Sequence, residues 1–354
     1  LKPQSIQQRL GKSAFIEGKE YLCFNGTSYL GMDSLDEYER ILSQNLQQWG
    51  MHHGLSRVNN VRLAIFEAFE DFFSKQAGAP AGALFSSGYL AGIAASQWLY
   101  PKADCCWAAP DTHPAILPLG VAAGPEPSFR EWTLQCMEQA AALPSQKILL
   151  LGNAVDPLKA AVHDYEWVKL IAEKHEVTLL IDDSHAFGVL GKGLFGTYSQ
   201  WLHPKICLIV SGSLGKGLAM PGGIVLGPTK VVEGIKSQAI FKGSSPASPA
   251  SLQSFLDAQQ LYAQQRILLA ERISFFHQHT SEIKQLHGGE HFPVVVYGPD
   301  SWTDKLFQQD MITSSFSYPH ADSPRVNRIV LSAAHSYEEL MSLQKTLHLL
   351  ATSP

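Results

Sequence analysis

Apolar residues recur at helical spacing in RLAIFEAFEDFFSKQAGA, where Ile65, Phe66, Phe69, Phe72 and Phe73 predict one buried helix face. GALFSSGYLAG then reads as a short strand that breaks into small residues. Apolar runs follow at KILLLGNAV, VTLLIDDSH, KICLIVSGS and GGIVLG, each short and rich in Leu, Ile and Val, as in strands covered on both faces. Between the first two lies DPLKAAVHDYEWVKLIAEKHE, a helical pattern with Pro157 near its start. This alternation predicts an α/β domain with a large, mostly parallel sheet. From about Ser245 the pattern changes again. SPASLQSFLDAQQLYAQQRILLAERISFFHQ predicts a long helix, FPVVVYG and NRIVLSAAH predict strands, and a final helix opens at SYEE with Ser336 and Glu339 at capping-box spacing. That tail reads as a smaller α+β domain, with no internal repeat and no low-complexity linker.

Composition narrows the function classes. The 354 residues are 45% hydrophobic, enough for a large core, and the net charge of −5 with scattered lysines and arginines excludes a nucleic-acid surface. The five cysteines, Cys23, Cys105, Cys106, Cys136 and Cys207, are odd in number and lack C-x-x-C spacing, so neither a disulfide frame nor a zinc ribbon is indicated. Cys105 and Cys106 are expected to be buried strand packing. No apolar run reaches the ~18–20 residues of a membrane span. The opening LKPQSIQQRLGKSAF holds no apolar leader, and a cytoplasmic location is expected; the missing initiator methionine implies that a few residues precede it.

The chemistry lies at the strand ends, where open α/β sheets bind ligands. IDDSH sets Asp182 three residues before His185, and SGSLGKGLAMPGG sets Lys216 among glycines just after the next strand. A lone D-x-x-H is more often a cap with a satisfied histidine; the lysine changes that reading. A partly desolvated lysine amine is a nucleophile, which an always-charged arginine is not. It forms a Schiff base with an aldehyde cofactor such as pyridoxal phosphate, which also needs an acid at the pyridine nitrogen and a phosphate cradle. Asp182 supplies the acid. SSGY at 86–89, opening a helix, supplies the cradle, with a hydroxyl from Ser213. Competing motifs are weaker. GKGLFG at 191–196 lacks the strand–helix setting of a dinucleotide fingerprint, and LGKS at 10–13 lacks the first glycine of a P-loop. The histidines of FFHQHTSEIKQLHGGEH are expected on a surface helix and turn, without a metal, and HHG at 52–54 is expected to line the substrate site.

From SYLGM near residue 30 to SAAH at 332–335, the ordered motifs resemble the α-oxoamine synthase family of fold-type I pyridoxal phosphate-dependent transferases. IDDSHAFGVLGKGLFG, SGSLGKGLAMPGG and NRIVLSAAHS are similar to its aspartate–histidine, lysine and arginine segments. The resemblance implies Lys216 as Schiff-base lysine and α-proton acid/base, Asp182 at the pyridine nitrogen, and His185 at the ring's phenolic oxygen. It implies His113, in PDTHPA, stacked on the ring, and Ser87, Gly88, Tyr89 and Ser213 at the phosphate. Ser244 and Ser245 would reach the phosphate from the partner subunit of a homodimer, and Arg328 would grip the substrate carboxylate. The domains expected are an arm over 1–44 packing with the small domain, a cofactor domain over 45–243 and a small domain over 244–354. The implied reaction condenses a small α-amino acid with an acyl thioester of CoA or a carrier protein, releasing carbon dioxide. Alanine with a pimeloyl donor is the first expected pair, then glycine with acetyl-CoA, then serine with a long acyl chain. A fold-type I aminotransferase and a non-catalytic cofactor-binding protein are the alternatives. The family's GSGGSR is HHGLSR here, Phe66 stands where a histidine is common, Thr27 replaces an asparagine, and an S-M-D-G-D-x-A-P-L stretch is reduced to NAVDPL.

Overall fold

The computed structural model describes residues 5–123, 127–318 and 322–352; residues 1–4 of the expected arm, and 319–321 and 353–354 of the expected small domain, lie outside these. The chain forms two units: Leu1–Glu39 with Asp156–Ala161 and Gln260–Pro354, and Arg40–Val155 with Val162–Gln259. The expected boundary at 244 therefore moves to about 260. The reason is apolar burial: Phe255, on the helix Pro249–Asp257, meets Phe69 and Phe73 of the helix Ile65–Ala77 at ring separations of 5.5 and 6.0 Å.

In the smaller unit, β1 (Ser13–Ile16) and β2 (Lys19–Phe24) form a hairpin. The larger unit holds α1 (Ile65–Ala77), β3 (Ala81–Phe85), α2 (Gly88–Leu99), β4 (Cys105–Ala108), α3 (Phe129–Ala142), β5 (Lys147–Asn153), β6 (Glu176–Asp182), β7 (Ile206–Ser213), β8 (Gly223–Gly227), α4 (Thr229–Ser237) and α5 (Pro249–Asp257). Its sheet runs β3-β8-β7-β6-β5-β4, with β4 to β7 mutually parallel and β8 antiparallel to both neighbours. Leu149, Leu151, Leu180, Ile209 and Val225 form one core with Ala91, Ala94 and Ala95 of α2. Small residues let that helix lie close to the strands, and its first turn is capped by Ser87, whose hydroxyl accepts from the Leu90 N–H at 3.2 Å.

The chain returns to the smaller unit with α6 (Gln259–Gln278), followed by β9 (Leu286–Gly288), β10 (Val294–Tyr297), α7 (Ser301–Gln308), β11 (Met311–Ser317), β12 (Arg325–Val330) and α8 (Tyr337–Thr352). The sheet order is β1-β2-β11-β12-β10-β9, with only β2–β11 parallel. The SYEE capping box forms: Ser336 N–H donates to Glu339 Oε2 at 2.7 Å and Glu339 N–H to Ser336 Oγ at 3.2 Å.

Two expected helices differ. The pattern after Pro157 yields helix only over Val168–Ala172, because Asp156 Oδ1 accepts from the N–H groups of Leu158 and Lys159 and folds the chain into a turn that places Ala160 at φ 53°. The long helix after Ser245 divides at Ala258, where α5 remains with the larger unit. Cys105 and Cys106 are half-buried rather than buried. Among the described residues no helix is long and apolar enough to cross a membrane.

Candidate active site

Parallel register places the candidate chemistry side by side. Asn153 of β5 pairs with Asp182 of β6, and Asp182 with Ser211 of β7, all at the carboxyl ends of their strands. Asp182 is 6% exposed, and its Oδ1 accepts from the Ser184 N–H at 2.8 Å. Ser184 Oγ in turn accepts from the Ser213 N–H at 2.8 Å, tying the acid to the segment that leads to Lys216. Asp183 has a different role: buried, it accepts from Thr197 N–H and Oγ1 at 2.6 and 2.8 Å, and burial raises its pKa to about 7. Successive strand residues face opposite ways, so this carboxylate holds the following loop while Asp182 faces His113.

His113 enters from the loop after β4. Its backbone N–H donates to Asn153 Oδ1 at 3.1 Å, its Nδ1 accepts from the Ala115 N–H at 3.2 Å, and Nδ1 stands 3.8 Å from Asp182 Oδ2. Burial keeps the imidazole pKa below its ordinary value; Asp182 opposes that shift and Lys216 reinforces it. The amine, the acid and the imidazole therefore share one field. Lys216 is half-buried on the hairpin between β7 and β8, which is closed by Leu214 N–H to Gly222 O and Met220 N–H to Leu214 O, both 3.0 Å. His185 is half-buried in the turn after Ser184.

The segment expected to cradle the phosphate depends on two glycines. A Cβ on Gly88 would lie 2.4 Å from Ser213 Cα, and one on Gly223 would lie 2.3 Å from Ser87 O. Only without those atoms can the first turn of α2, carrying Ser87, Gly88 and Tyr89, meet the end of β7. Ser213 Oγ accepts from the Gly215 N–H at 3.1 Å and remains partly exposed. Tyr89 is half-exposed, with its ring edge-on to His113 at 6.1 Å. Ser244 and Ser245 lie in the loop between Ala239–Gly243 and α5, and neither hydrogen-bonds a described residue of the cradle. Arg328 belongs to the smaller unit. It is 8% exposed, donates from Nη1 to Pro157 O at 2.9 Å, stacks over Phe316, and carries a buried Nε–H with no protein acceptor.

This donor set fits pyridoxal phosphate: an acid for a ring nitrogen, an amine on a flexible stem, and N–H groups with a hydroxyl for a phosphate. A further polar atom supports the fit. Ser211 Oγ, in register with Asp182, is buried with no protein partner. Among the described residues no group of three or more His, Cys, Asp or Glu is placed to hold a metal. His53 lines a small cleft with Arg57, Arg62 and Phe66, and Arg57 is locked by Glu70 at 2.9 Å. Sequence reasoning missed Ser184, Asn153 and the pair Asp111–His163. Asn153 had left a signal, a polar residue ending an otherwise apolar strand.

Comparison with known proteins agrees with the motifs. The 8-amino-7-oxononanoate synthase of Dechloromonas aromatica is 28% identical over 275 residues, covering 73% of this chain and 70% of that protein. The enzyme of the same name from Fervidobacterium nodosum is 23% identical, covering 95% and 90%. In fold, the chain is similar to the serine palmitoyltransferase of Sphingomonas wittichii, with TM-score 0.82, 17% identity and 98% and 91% coverage. It is likewise similar to the 8-amino-7-oxononanoate synthase of Francisella tularensis, with TM-score 0.72, 19% identity and 93% and 98% coverage. The family model described as aminotransferase class I and II matches residues 29–347, and the chain belongs to that family.

Proposed function

We propose that this chain is a pyridoxal phosphate-dependent acyltransferase that joins a small α-amino acid to an acyl thioester, with loss of carbon dioxide, to give an aminoketone. The observation that carries this reading is the meeting of Asp182, His113 and Lys216 at the strand ends beside a cradle made by Gly88 and Gly223. The relatives named 8-amino-7-oxononanoate synthase favour alanine and a pimeloyl thioester as the pair.

When bound, the cofactor supplies an electron sink at the substrate's α-carbon. Asp182 would hold a proton on the ring nitrogen, and His185 would bond the phenolic oxygen. The N–H groups of Gly88 and Tyr89 and the hydroxyls of Ser87 and Ser213 bind the phosphate. His113 would cover the ring and exclude water. Arg328, whose Nε–H already lacks an acceptor, binds the amino-acid carboxylate with its planar fork. Lys216 Nζ removes the α-proton. Once the α-carbon has taken the acyl group with loss of the thiolate, and carbon dioxide has left, Lys216 would return a proton to that carbon. Ser244 and Ser245 reach the phosphate of a second copy in a homodimer, which light scattering would detect. The five unpaired cysteines suit a cytoplasmic setting.

A thioester-consumption assay should cross alanine, glycine and serine with short, medium and long acyl donors. One pair, expected to be alanine with the pimeloyl donor, should consume thioester and release carbon dioxide. Lys216→Ala should abolish this and leave no borohydride-fixed cofactor on the chain. Keto acid formed without thioester loss would make the protein an aminotransferase, and binding without turnover would remove the catalytic reading.

A further inference from the structure

Asp111, two residues before His113, lies in a buried arrangement that the proposed chemistry does not use. His163 Nε2 stands 2.9 Å from Asp111 Oδ2, and the pair is 7% and 12% exposed. The imidazole is packed flat on Phe129, with ring centroids 3.7 Å apart and planes 4° apart. The stacking sets the plane of the ring, and the carboxylate, which only accepts, makes Nε2 the donor. Asn153 then connects the pair to the site. Its Nδ2 donates to Asp111 Oδ2 at 3.2 Å and also to the Asp111 backbone oxygen, while its Oδ1 accepts from the His113 N–H at 3.1 Å.

An amide at the end of a strand could rotate and exchange its oxygen and nitrogen. Here the carboxylate accepts only, so it fixes Nδ2 toward Asp111 and leaves Oδ1 for His113. Asp111 is itself oriented by His163. The order is therefore Phe129 to His163 to Asp111 to Asn153 to the backbone of residue 113, and the last member carries the imidazole that stands 3.8 Å from Asp182.

The geometry points to His163, Asp111 and Asn153 as positioning residues that set the attitude of His113 over Asp182. The effect on catalysis rests on the function proposed above; the effect on His113 does not. A carboxylate without its histidine keeps a single side-chain donor in a buried setting, so the amide, still held by the Asp111 backbone oxygen, loses the firmer of its two restraints on Nδ2.

The test compares wild type, His163→Ala and His163→Gln as full-length protein at matched thermal midpoints. Three quantities are read: amide exchange at His113, circular dichroism of the bound cofactor's visible band, and kcat and KM. In His163→Ala the His113 amide should exchange about tenfold faster or more, because its acceptor is held less firmly. The cofactor band should change in dichroism at unchanged stoichiometry, and kcat should fall about tenfold to a hundredfold with KM nearly constant. His163→Gln keeps an N–H at similar reach and should restore most of each. Unchanged exchange in His163→Ala overturns the proposal. So does faster exchange with unaltered dichroism and kcat in a protein that turns over. If wild type shows neither cofactor band nor turnover, the functional reading fails, while faster exchange reversed by glutamine still supports the placement of His113.

Discussion

Gly88→Ala probes the cradle directly. The new Cβ would meet three atoms of Ser213, at 2.4 Å from Cα and 2.5 Å from both Cβ and N. Each contact is about 1 Å short of ordinary carbon packing, and two of the three atoms are backbone, so no side-chain rotation relieves them. Either the first turn of α2 or the end of β7 must withdraw by about that distance. Ser213 N–H is bound to Ser184 Oγ, and Ser184 N–H to Asp182, so a shift of β7 also loosens the acid. Overpacking of this kind costs about 1–3 kcal/mol of stability. Losing one hydrogen bond to a charged phosphate adds about 1.5–3 kcal/mol to the binding deficit, which is about a tenfold to hundredfold weaker cofactor affinity. Titrating apoprotein with pyridoxal phosphate and following the visible band gives the affinity; a urea midpoint gives the stability. Gly298→Ala is the control, since no atom lies within 4 Å of the added methyl and its φ is ordinary. Affinity for Gly88→Ala within twofold of wild type would refute the argument that the absent side chain makes this site.

Glu70→Ala should lower stability by about 3–5 kcal/mol, because it removes the partner of Arg57 at 2.9 Å and Lys236 at 2.6 Å and leaves a guanidinium only 9% exposed between Phe66 and Phe241; the urea midpoint reads it. His335→Gln should flatten the stability profile below about pH 6.5. The native imidazole is buried, accepts from Ser332 N–H at Nδ1 and donates from Nε2 to Cys23 O, and burial lowers its pKa from 6.5. The unfolded chain then binds more protons than the fold, so wild-type stability is complete above the unfolded value and is lost as pH falls through the folded one. Thermal midpoints across pH 5–8 should show this slope in wild type and its loss in the variant.

β5, β6 and β7 were legible because each writes a continuous apolar run, and the runs end at Asn153, Asp182 and Ser213; β4, half-buried along its length, writes a weaker one. The edge pairing of the smaller sheet was not legible. β1 and β2 are half-exposed and β11, MITSSFS, is mostly intermediate, so none shows a clean alternation; β2 also pairs with a strand nearly the length of the chain away. The helix after Pro157 failed because one side chain, Asp156, offered the backbone a better set of bonds. In the site, motifs singled out Lys216, Asp182 and His113, and the fold brings His113 to 3.8 Å from Asp182. The Asp111–His163 contact spans 52 positions, and such a pair has no local signature.

Because β8 runs against its neighbours, Lys216 rides a hairpin sealed at its base rather than the mouth of a long crossover. The amine can change partners only by swinging its four-carbon stem, so its reach is a fixed radius about one anchored Cα. Lengthening this loop by even one residue would release that radius, and, on the function proposed above, a base that must come back to the atom it deprotonated would lose its way home.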